Sequence, residues 1–181
     1  MNVLKNLTAG HALFETVIGC CGIAWTKNGV RALQLPEANR KKTLEKLLSR
    51  AGLPEKSRPP SWARRLIRNI QTHLKGNTRD FSGIPLDIPD IPPFYGLVYK
   101  AARSIPSGSA CTYGELAEKL RRPRSARAVG QAMAKNPVPI IIPCHRVLGA
   151  GGNLGGFSAF RGLAMKKKLL RIEKVRGKNQ K

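Results

Sequence analysis

The sequence predicts a mixed α/β (α+β) fold in which a small sheet domain, residues 1–90, precedes a mainly helical domain, residues 91–181. Three observations support this prediction: a hairpin signal near residue 28, helical apolar stripes that dominate the second half, and a proline-rich stretch at residues 81–93. Domain boundaries fall in linkers of this composition, so we place the boundary near residue 91.

The first domain is expected to hold one hairpin and two helices. Segments 22–25 and 30–35 flank Asn28-Gly29, a dipeptide that favours a two-residue hairpin turn. Each helix is predicted from apolar residues that repeat on one face and from a glycine that ends it. The residues of the two faces are Leu44, Leu47, Leu48 and Ala51 before Gly52, then Trp62, Leu66, Ile70 and Leu74 before Gly76. The proline-rich stretch is expected to be an extended strand followed by a linker.

The second domain is predicted to contain a helix-turn-helix. A preceding helix is marked by the apolar stripe Phe94, Leu97, Val98, Ala101 and Ile105. Thr112 and Glu115 then form a capping box that opens the first helix of the motif. Ser125 is expected to cap the second helix, which runs to about Lys135. Two short helices joined by a tight basic connection are typical of this motif.

The second helix of the motif has two distinct faces. Val129, Ala132 and Met133 are expected to point inward. The opposite face, hereafter the basic face, carries Arg127, Gly130, Gln131, Ala134 and Lys135. A glycine inside a helix costs about 1 kcal/mol relative to alanine, so Gly130 indicates that another element or molecule comes close to the helix backbone there. Another helix or an anionic partner would explain it, and the charge of the chain favours nucleic acid.

That charge is the strongest global signal. The 181 residues hold 33 Lys and Arg against 10 Asp and Glu, a net charge of +23. Such a surplus promotes binding to a polyanion, and DNA, ribosomal RNA and anionic membranes all remain open. No apolar run approaches the roughly 20 residues of a membrane span, and a signal-peptide pattern is absent. We therefore expect a cytoplasmic protein, in which four irregularly spaced cysteines form no disulfide framework.

The segment PIIIPCHRVLG, residues 139–149, is the candidate reaction centre. Its isoleucines predict a buried strand that ends at Pro143, directly before Cys144 and His145. A thiolate is a nucleophile, and a nearby histidine can take the thiol proton. Adjacent side chains of an extended segment point apart, so the proton must pass through a water or the backbone must bend.

Two further features complete this candidate site. Glu173 is the best acid to orient the histidine, although a surface ion pair is the alternative. The loop 149–160 has five glycines in its first eight residues. It is expected to fold over a planar ligand, with Ser158 donating a hydrogen bond and Phe157 stacking, or else to be a mobile surface connection.

Together these residues resemble the O6-alkylguanine-DNA alkyltransferases, also called methylated-DNA–protein-cysteine methyltransferases. The motifs are TYGELA at 112–117, RAVGQAMAKNPVPIIIPCHRVLG at 127–149, Ser158, and LLRIE at 169–173. The resemblance is highly specific over 94–173. Over the N-terminal part it is weaker and implies a ribonuclease H-like domain. It also implies base flipping and a stoichiometric transfer of an alkyl group from O6-alkylguanine in duplex DNA to the protein, with O4-alkylthymine left open.

The resemblance assigns roles to the matching residues. Cys144 accepts the alkyl group, His145 acts through a water as its base, Glu173 orients His145, and Asn136 holds the turn. For DNA, Tyr113 helps to rotate the nucleotide and Arg127 fills its vacated place in the stack. The second helix would enter the minor groove, which is only about 6 Å wide, through its small residues Ala126, Ala128 and Gly130. The base would be read by the carbonyls of Cys144 and Val147 and by Ser158, with Phe157 stacking.

Two departures and two rival functions remain. Many relatives have Gly-Gly after the loop serine, whereas Arg161-Gly162 stands here, and Arg161 would narrow the pocket or bind a phosphate. Some relatives bind zinc, but no convincing ligand set is present, so we expect no metal and no cofactor. The expected partner of this monomer is duplex DNA, not a membrane. The first rival is a non-catalytic binder, either a sensor of damage or a regulator that uses the same helix-turn-helix, although catalytically inert relatives typically have tryptophan at the position of Cys144. The second rival is a cysteine hydrolase.

Overall fold

A computed structural model describes residues 9–52 and 57–175. Three antiparallel strands and two helices come first, and four helices and a short parallel ladder follow. The strands are β1 (Gly10–Thr16), β2 (Gly19–Thr26), β3 (Gly29–Gln34), β4 (Cys111–Thr112) and β5 (Val147–Leu148). The helices are α1 (Arg40–Ala51), α2 (Ser61–Leu74), α3 (Pro93–Arg103), α4 (Tyr113–Lys119), α5 (Ala126–Ala134) and α6 (Gly162–Ile172). The predicted mixed fold class is confirmed.

The first sheet is a meander in the order β1-β2-β3. Thr26 pairs with Gly29, so the predicted hairpin is present but its two loop residues are Lys27 and Asn28, one position earlier than expected. Gly29 has φ +145°, and a Cβ there would collide with the carbonyl of Pro85. This close approach explains the glycine, because the segment after residue 81 passes directly over it.

That proline-rich segment does not form the predicted strand. Only an isolated bridge joins Val30 to Leu86, made by Val30 N–H to Pro85 O (3.0 Å) and Asp87 N–H to Val30 O (2.9 Å). Proline has no N–H to donate, so four prolines in thirteen residues limit the ladder to this single contact.

The predicted helices are present, but the inward face of α3 differs from the predicted one. On α3 the buried residues are Val98, Tyr99 and Ala102, whereas Leu97, expected inside, is 48% exposed. Tyr99 makes the difference, because its hydroxyl donates to Ala132 O of α5 (3.0 Å) and turns that side of the helix inward.

In the helix-turn-helix, both bonds of the Thr112–Glu115 capping box are formed, at 3.1 and 2.6 Å. A 3-10 turn over Pro123–Ser125 joins α4 to α5. Ser125 stands at the N-cap position of α5, but its side chain makes no capping hydrogen bond, so the prediction that it caps is wrong.

The three isoleucines form a buried turn instead of the predicted strand. Ile142 N–H donates to Val138 O (2.9 Å), and Ile140 has φ +75°. A β-branched residue in this region of the backbone costs roughly 1–3 kcal/mol, so the surrounding core must hold the turn in place. All three isoleucines are at most 1% exposed. The chain then continues into a 3-10 turn over Cys144–Arg146. None of the helices in the described ranges has the length and apolar character needed to cross a membrane.

Candidate active site

Cys144 begins the 3-10 turn and is 7% exposed. The side chain of Asn136 acts on its thiol and lowers the pKa of that group. Asn136 also holds the preceding turn, since its Nδ2 donates to Ile142 O (2.8 Å) and its Oδ1 accepts from Val138 N–H (2.9 Å). One buried amide therefore fixes both the nucleophile and the strained backbone that carries it.

The surroundings of Cys144 favour the protonated thiol. Burial raises the pKa of Cys144, and the hydrogen bond from Asn136 and the positive charge of Lys166 offset this only in part. Because the ordinary thiol pKa of about 8.5 already lies above neutrality, the group is a thiol at pH 7. Nucleophilic attack at this position needs a base.

His145 has the hydrogen bonding of a neutral base. Its Nε2 lies 2.9 Å from Oε1 of Glu173. A carboxylate only accepts, so the ring proton is on Nε2 and Nδ1 carries a lone pair. Nδ1 is buried and hydrogen-bonds to none of the residues in the described ranges. Burial lowers the pKa of His145, while Glu173 acts in the opposite direction. The histidine is therefore neutral at pH 7.

Glu173 is the centre of a buried polar cluster, hereafter the Glu173 network, formed by Glu173, His145, Arg146 and His73. Arg146 donates from Nε to Oε2 and from Nη2 to Oε1, both at 2.8 Å. Burial raises the pKa of Glu173, but hydrogen bonds from His145, His73 and Arg146 outweigh it and hold that pKa well below its usual range. The alternative of a surface ion pair is wrong, because Glu173 is 3% exposed.

Two members of this network escaped the sequence analysis. Arg146 also donates to Ile105 O (2.5 Å) and Ser107 Oγ (2.9 Å), so all three of its guanidinium nitrogens donate inside the protein. His73, from α2, lies 2.8 Å from Oε1 of Glu173. Both carried a signal: Arg146 follows the Cys-His pair in an apolar segment, and His73 lies three residues after Ile70 on the apolar side of its helix.

Lys166 of α6 was also missed, although it is fully buried. Its Nζ donates to Val147 O (2.7 Å) and to Leu154 O, and lies 5.8 Å from the centroid of the Tyr113 ring. Burial lowers the pKa of Lys166 to about 8, against the opposing influence of Cys144. A lysine next to Met165 on the inward side of an amphipathic helix was the signal available in the sequence.

A cavity of about 630 Å³, hereafter the Cys144 cavity, lies between α4, α5 and the glycine-rich loop. It is lined by Tyr113, Ala126, Arg127, Gly130, Gln131, Met133, Ala134, Cys144, Gly156, Phe157 and Ser158. Most predicted DNA- and substrate-binding residues are thus brought together around the thiol. Ala128 and Val147 are not in this wall, and the carbonyl of Val147 accepts from Lys166.

Two glycines leave room for the Tyr113 ring. A Cβ on Gly155, which has φ +63°, would lie 3.2 Å from the ring, and one on Gly130 would lie 3.9 Å from it. Burial raises the pKa of Tyr113, so its hydroxyl remains protonated. Ser158 donates to Ala134 O of α5 (2.9 Å), which ties the loop to the helix.

Arg161 does not line the Cys144 cavity, contrary to the expectation that it narrows the pocket. It precedes α6 with φ 66°, and its guanidinium lies 5.9 Å from the Phe160 ring centroid. It lines a separate cavity beside β2 and α1. Within the described ranges, no group of three or more His, Cys, Asp or Glu side chains could hold a metal ion.

The basic face of α5 borders the Cys144 cavity. Arg127, Gln131, Ala134 and Lys135 are exposed and Gly130 is half-buried, while Val129, Ala132 and Met133 are buried as predicted. The same short helix therefore lines the cavity and presents a basic, small-residue surface next to its mouth.

Known proteins match the chain along most of its length. Residues 93–175 match the family model described as 6-O-methylguanine DNA methyltransferase, DNA binding domain. A methylated-DNA–protein-cysteine methyltransferase of Methanosarcina acetivorans is 32% identical over 169 residues, which are 90% of this chain and 97% of the relative. One of Haemophilus influenzae is 43% identical over 106 residues, 59% of this chain and 58% of the relative.

Solved structures give the same result for the fold. The crystal structure of Mycobacterium tuberculosis OGT in complex with DNA has a TM-score of 0.73 and 30% identity, covering 91% of this chain and 92% of that one. The O6-methylguanine-DNA methyltransferase of Pyrococcus kodakaraensis has a TM-score of 0.68 and 26% identity, covering 92% and 99%.

Proposed function

The chain belongs to the methylated-DNA–protein-cysteine methyltransferases, and we propose that it repairs alkylated DNA by one irreversible transfer of a methyl or alkyl group to Cys144. The substrate is O6-alkylguanine in duplex DNA. The observation that carries this assignment is a buried thiol in the wall of a cavity large enough for a purine, with a neutral histidine and a carboxylate behind it.

The reaction begins with loss of the thiol proton. His145 Nδ1 accepts it through a water, because Nε2 is committed to Glu173. Glu173 stabilises the imidazolium that forms without taking the proton, since three donors hold its pKa low. Lys166 and Asn136 stabilise the developing thiolate, as both lower the pKa of Cys144.

The transfer itself is a displacement at the alkyl carbon. A sulfur–carbon bond forms, the carbon–O6 bond breaks, and its electron pair stays on the guanine oxygen. Guanine then takes up one proton, which balances the proton lost by the thiol, so no further reactant is needed. The thioether product has no leaving group of comparable quality, which makes Cys144 a single-use acceptor.

The base must leave the duplex before this chemistry, because a stacked and paired base cannot enter the cavity in whose wall Cys144 lies. Unstacking it costs a few kcal/mol. The basic face of α5 approaches the minor groove, where Arg127 fills the vacated place and Tyr113 helps to rotate the nucleotide. Support comes from position: Arg127, Tyr113 and Cys144 line one cavity. Ser158 and the carbonyl of Cys144 contact the base there.

Mass spectrometry of the protein after incubation with a duplex containing O6-methylguanine tests the proposal. We expect one added methyl group on the peptide containing Cys144, guanine restored in the DNA, and no second turnover. Cys144→Ala must abolish the transfer, whereas Cys20→Ala, which removes a half-buried thiol elsewhere, must not. DNA binding with an unmodified Cys144 would indicate a damage sensor, and repeated turnover would indicate a hydrolase; either would overturn the proposal.

A further inference from the structure

His73 reaches the Glu173 network from the other half of the chain. It lies near the end of α2, is 1% exposed, and is separated from Glu173 by 100 residues in sequence. Its ring packs edge-on against Phe81 with centroids 5.2 Å apart. The N-terminal half therefore contributes a polar group to the cluster behind the nucleophile.

Two partners fix the tautomer of His73. The backbone N–H of Arg79 donates to Nδ1 (3.0 Å), so this nitrogen carries a lone pair. The ring proton is then on Nε2, which lies 2.8 Å from Oε1 of Glu173 and donates to it. The neutral ring satisfies both neighbours at once.

Oxygen Oε1 of Glu173 is shared by three donors. His73 and His145 each donate from Nε2, at 2.8 and 2.9 Å, and Arg146 donates from Nη2 at 2.8 Å. Oε2 accepts only from Arg146 Nε among the described residues. A carboxylate oxygen offers about two lone-pair sites, so the donors on Oε1 compete.

We propose that His73 is a positioning residue for the alkyl transfer. By donating to Oε1 of Glu173, His73 weakens the hydrogen bond that this oxygen accepts from His145, and so keeps His145 neutral and ready to accept a proton. This inference rests on the proposed function, because it assigns His145 the part of base. It adds that the readiness of this base is set from α2, outside the region that carries the nucleophile.

The sign of the effect follows from the charges that face His145. Burial and the positive charge of Arg146 disfavour its protonated form, whereas the hydrogen bond and the charge of Glu173 favour it. Lys166 faces the neighbouring thiol of Cys144, where it favours the thiolate. Without the donation from His73, Oε1 is freer to stabilise the imidazolium. His145 then protonates at a higher pH, and the base is lost over a wider acidic range.

Two substitutions distinguish this positioning role of His73 from a purely structural role. In His73→Asn, the side-chain oxygen can take the place of Nδ1 and accept from Arg79, but the donor to Glu173 is lost. In His73→Gln, the amide nitrogen can take the place of Nε2 and donate to Glu173, but the acceptor for Arg79 is lost. The two variants thus each keep one of the two bonds of His73.

The test is the pH dependence of single-turnover transfer from O6-methylguanine in duplex DNA. We expect His73→Asn to move the acidic limb up by about half a unit to one unit, a threefold to tenfold change in the neutral fraction of His145 on that limb. His73→Gln should leave the limb where it is in the unsubstituted protein. An unmoved limb in His73→Asn, or an equal shift in both variants, would overturn the inference.

Nitrogen-15 NMR of the histidine rings supplies a measurement that needs no transfer. The His145 titration should shift upward in His73→Asn and stay in place in His73→Gln. If the unsubstituted protein transfers no alkyl group, the proposed function fails, and this titration still decides whether His73 keeps His145 neutral. If His73→Asn does not fold, the unsubstituted spectrum decides it, since a proton on Nδ1 of His73 would overturn the assignment and one on Nε2 uphold it.

Discussion

The Glu173 network and the basic face of α5, which we propose serve the same reaction, have opposite physical designs. In the network, all four residues are at most 6% exposed and are joined by four hydrogen bonds of 2.8–2.9 Å. On the basic face, Arg127, Gln131, Ala134 and Lys135 are exposed, and Gly130 leaves space. Apart from Nδ1 of His145, the polar groups of the first region find partners within the protein, whereas the second region presents its side chains to solvent.

This difference follows from the charges in each region, since the network contains buried charges and the basic face contains exposed cations. A buried charge that lacks partners costs several kcal/mol, so the network has to be satisfied before any substrate arrives. A surface that receives DNA gains from exposed cations, because their counterions are released on binding. Substitutions in the network should therefore damage folding and chemistry together, whereas substitutions on the face should damage only the reaction with DNA.

The largest effect is expected from Glu173→Gln. The substitution leaves Arg146 buried without its counter-charge, which costs roughly 3–5 kcal/mol and lowers the Tm by about 6–20 °C. Transfer should fall both with DNA and with O6-alkylguanine as the free base, because a neutral amide cannot stabilise the imidazolium of His145 as the carboxylate does. Thermal unfolding and single-turnover rates measure the two losses. Glu118→Gln, on the exposed side of α4, is the matched control and should change neither.

The loss of stability in Glu173→Gln should depend on pH with a definite sign. The pKa of Glu173 is held low in the folded protein, so its ionised form contributes stability above the unfolded-state pKa of about 4.3. That contribution fades as the pH falls from there toward the depressed folded-state pKa. The difference in unfolding free energy between the unsubstituted protein and Glu173→Gln should thus be constant near neutrality and shrink in acid. A difference that grows in acid would contradict the network as described.

A smaller and more selective effect is expected from Arg127→Ala. Repair of duplex DNA should slow by at least about tenfold, since each 1.4 kcal/mol of lost support for the flipped state is a factor of ten. Reaction with the free base should be nearly unchanged, because that substrate needs no flipping. Parallel single-turnover measurements with the two substrates make the comparison. An equal loss on both substrates would place Arg127 in the chemistry or the fold.

Arg124→Ala is the control for charge alone. Arg124 lies in the 3-10 turn before α5, is exposed, and does not line the Cys144 cavity. Its removal should weaken DNA binding slightly, more at low salt than at high salt, and leave the rate at saturating DNA unchanged. Equal effects of the two substitutions would mean that Arg127 acts only through its charge.

Predictability from sequence differs between these two regions for the same physical reason. The basic face could be inferred because helical spacing alone decides which side chains of α5 point outward. The network could be inferred only in part: His145 and Glu173 were expected, but His73 and Arg146 join them through contacts across the fold. Periodicity marks His73 as buried and says nothing about its partner, 100 residues away.

The errors in the fold have a similar origin. The isoleucines were expected in a strand from their β-branched character, but Asn136 and the core hold them in a turn with Ile140 at φ +75°. Strand β1 was not predicted at all, because its identity as a strand depends on pairing with β2 over seven residue pairs. In each case a tertiary contact overrides the local preference.

The smallest effect expected is also the most diagnostic, because a single substitution at Gly130 should raise the stability of the protein and lower its affinity for DNA. A Cβ at Gly130 would meet only Tyr113 ring atoms, at 3.9 Å, which is ordinary contact. Gly130→Ala should therefore stabilise α5 by up to about 1 kcal/mol. It should also weaken DNA binding, by roughly fivefold if the added methyl group costs about 1 kcal/mol in a narrow groove. Gly96→Ala, within α3 and away from the Cys144 cavity, should raise stability without changing DNA affinity. If Gly130→Ala instead lowered the Tm and left DNA binding intact, the glycine would serve helix packing, and the basic face would not be the surface that receives DNA.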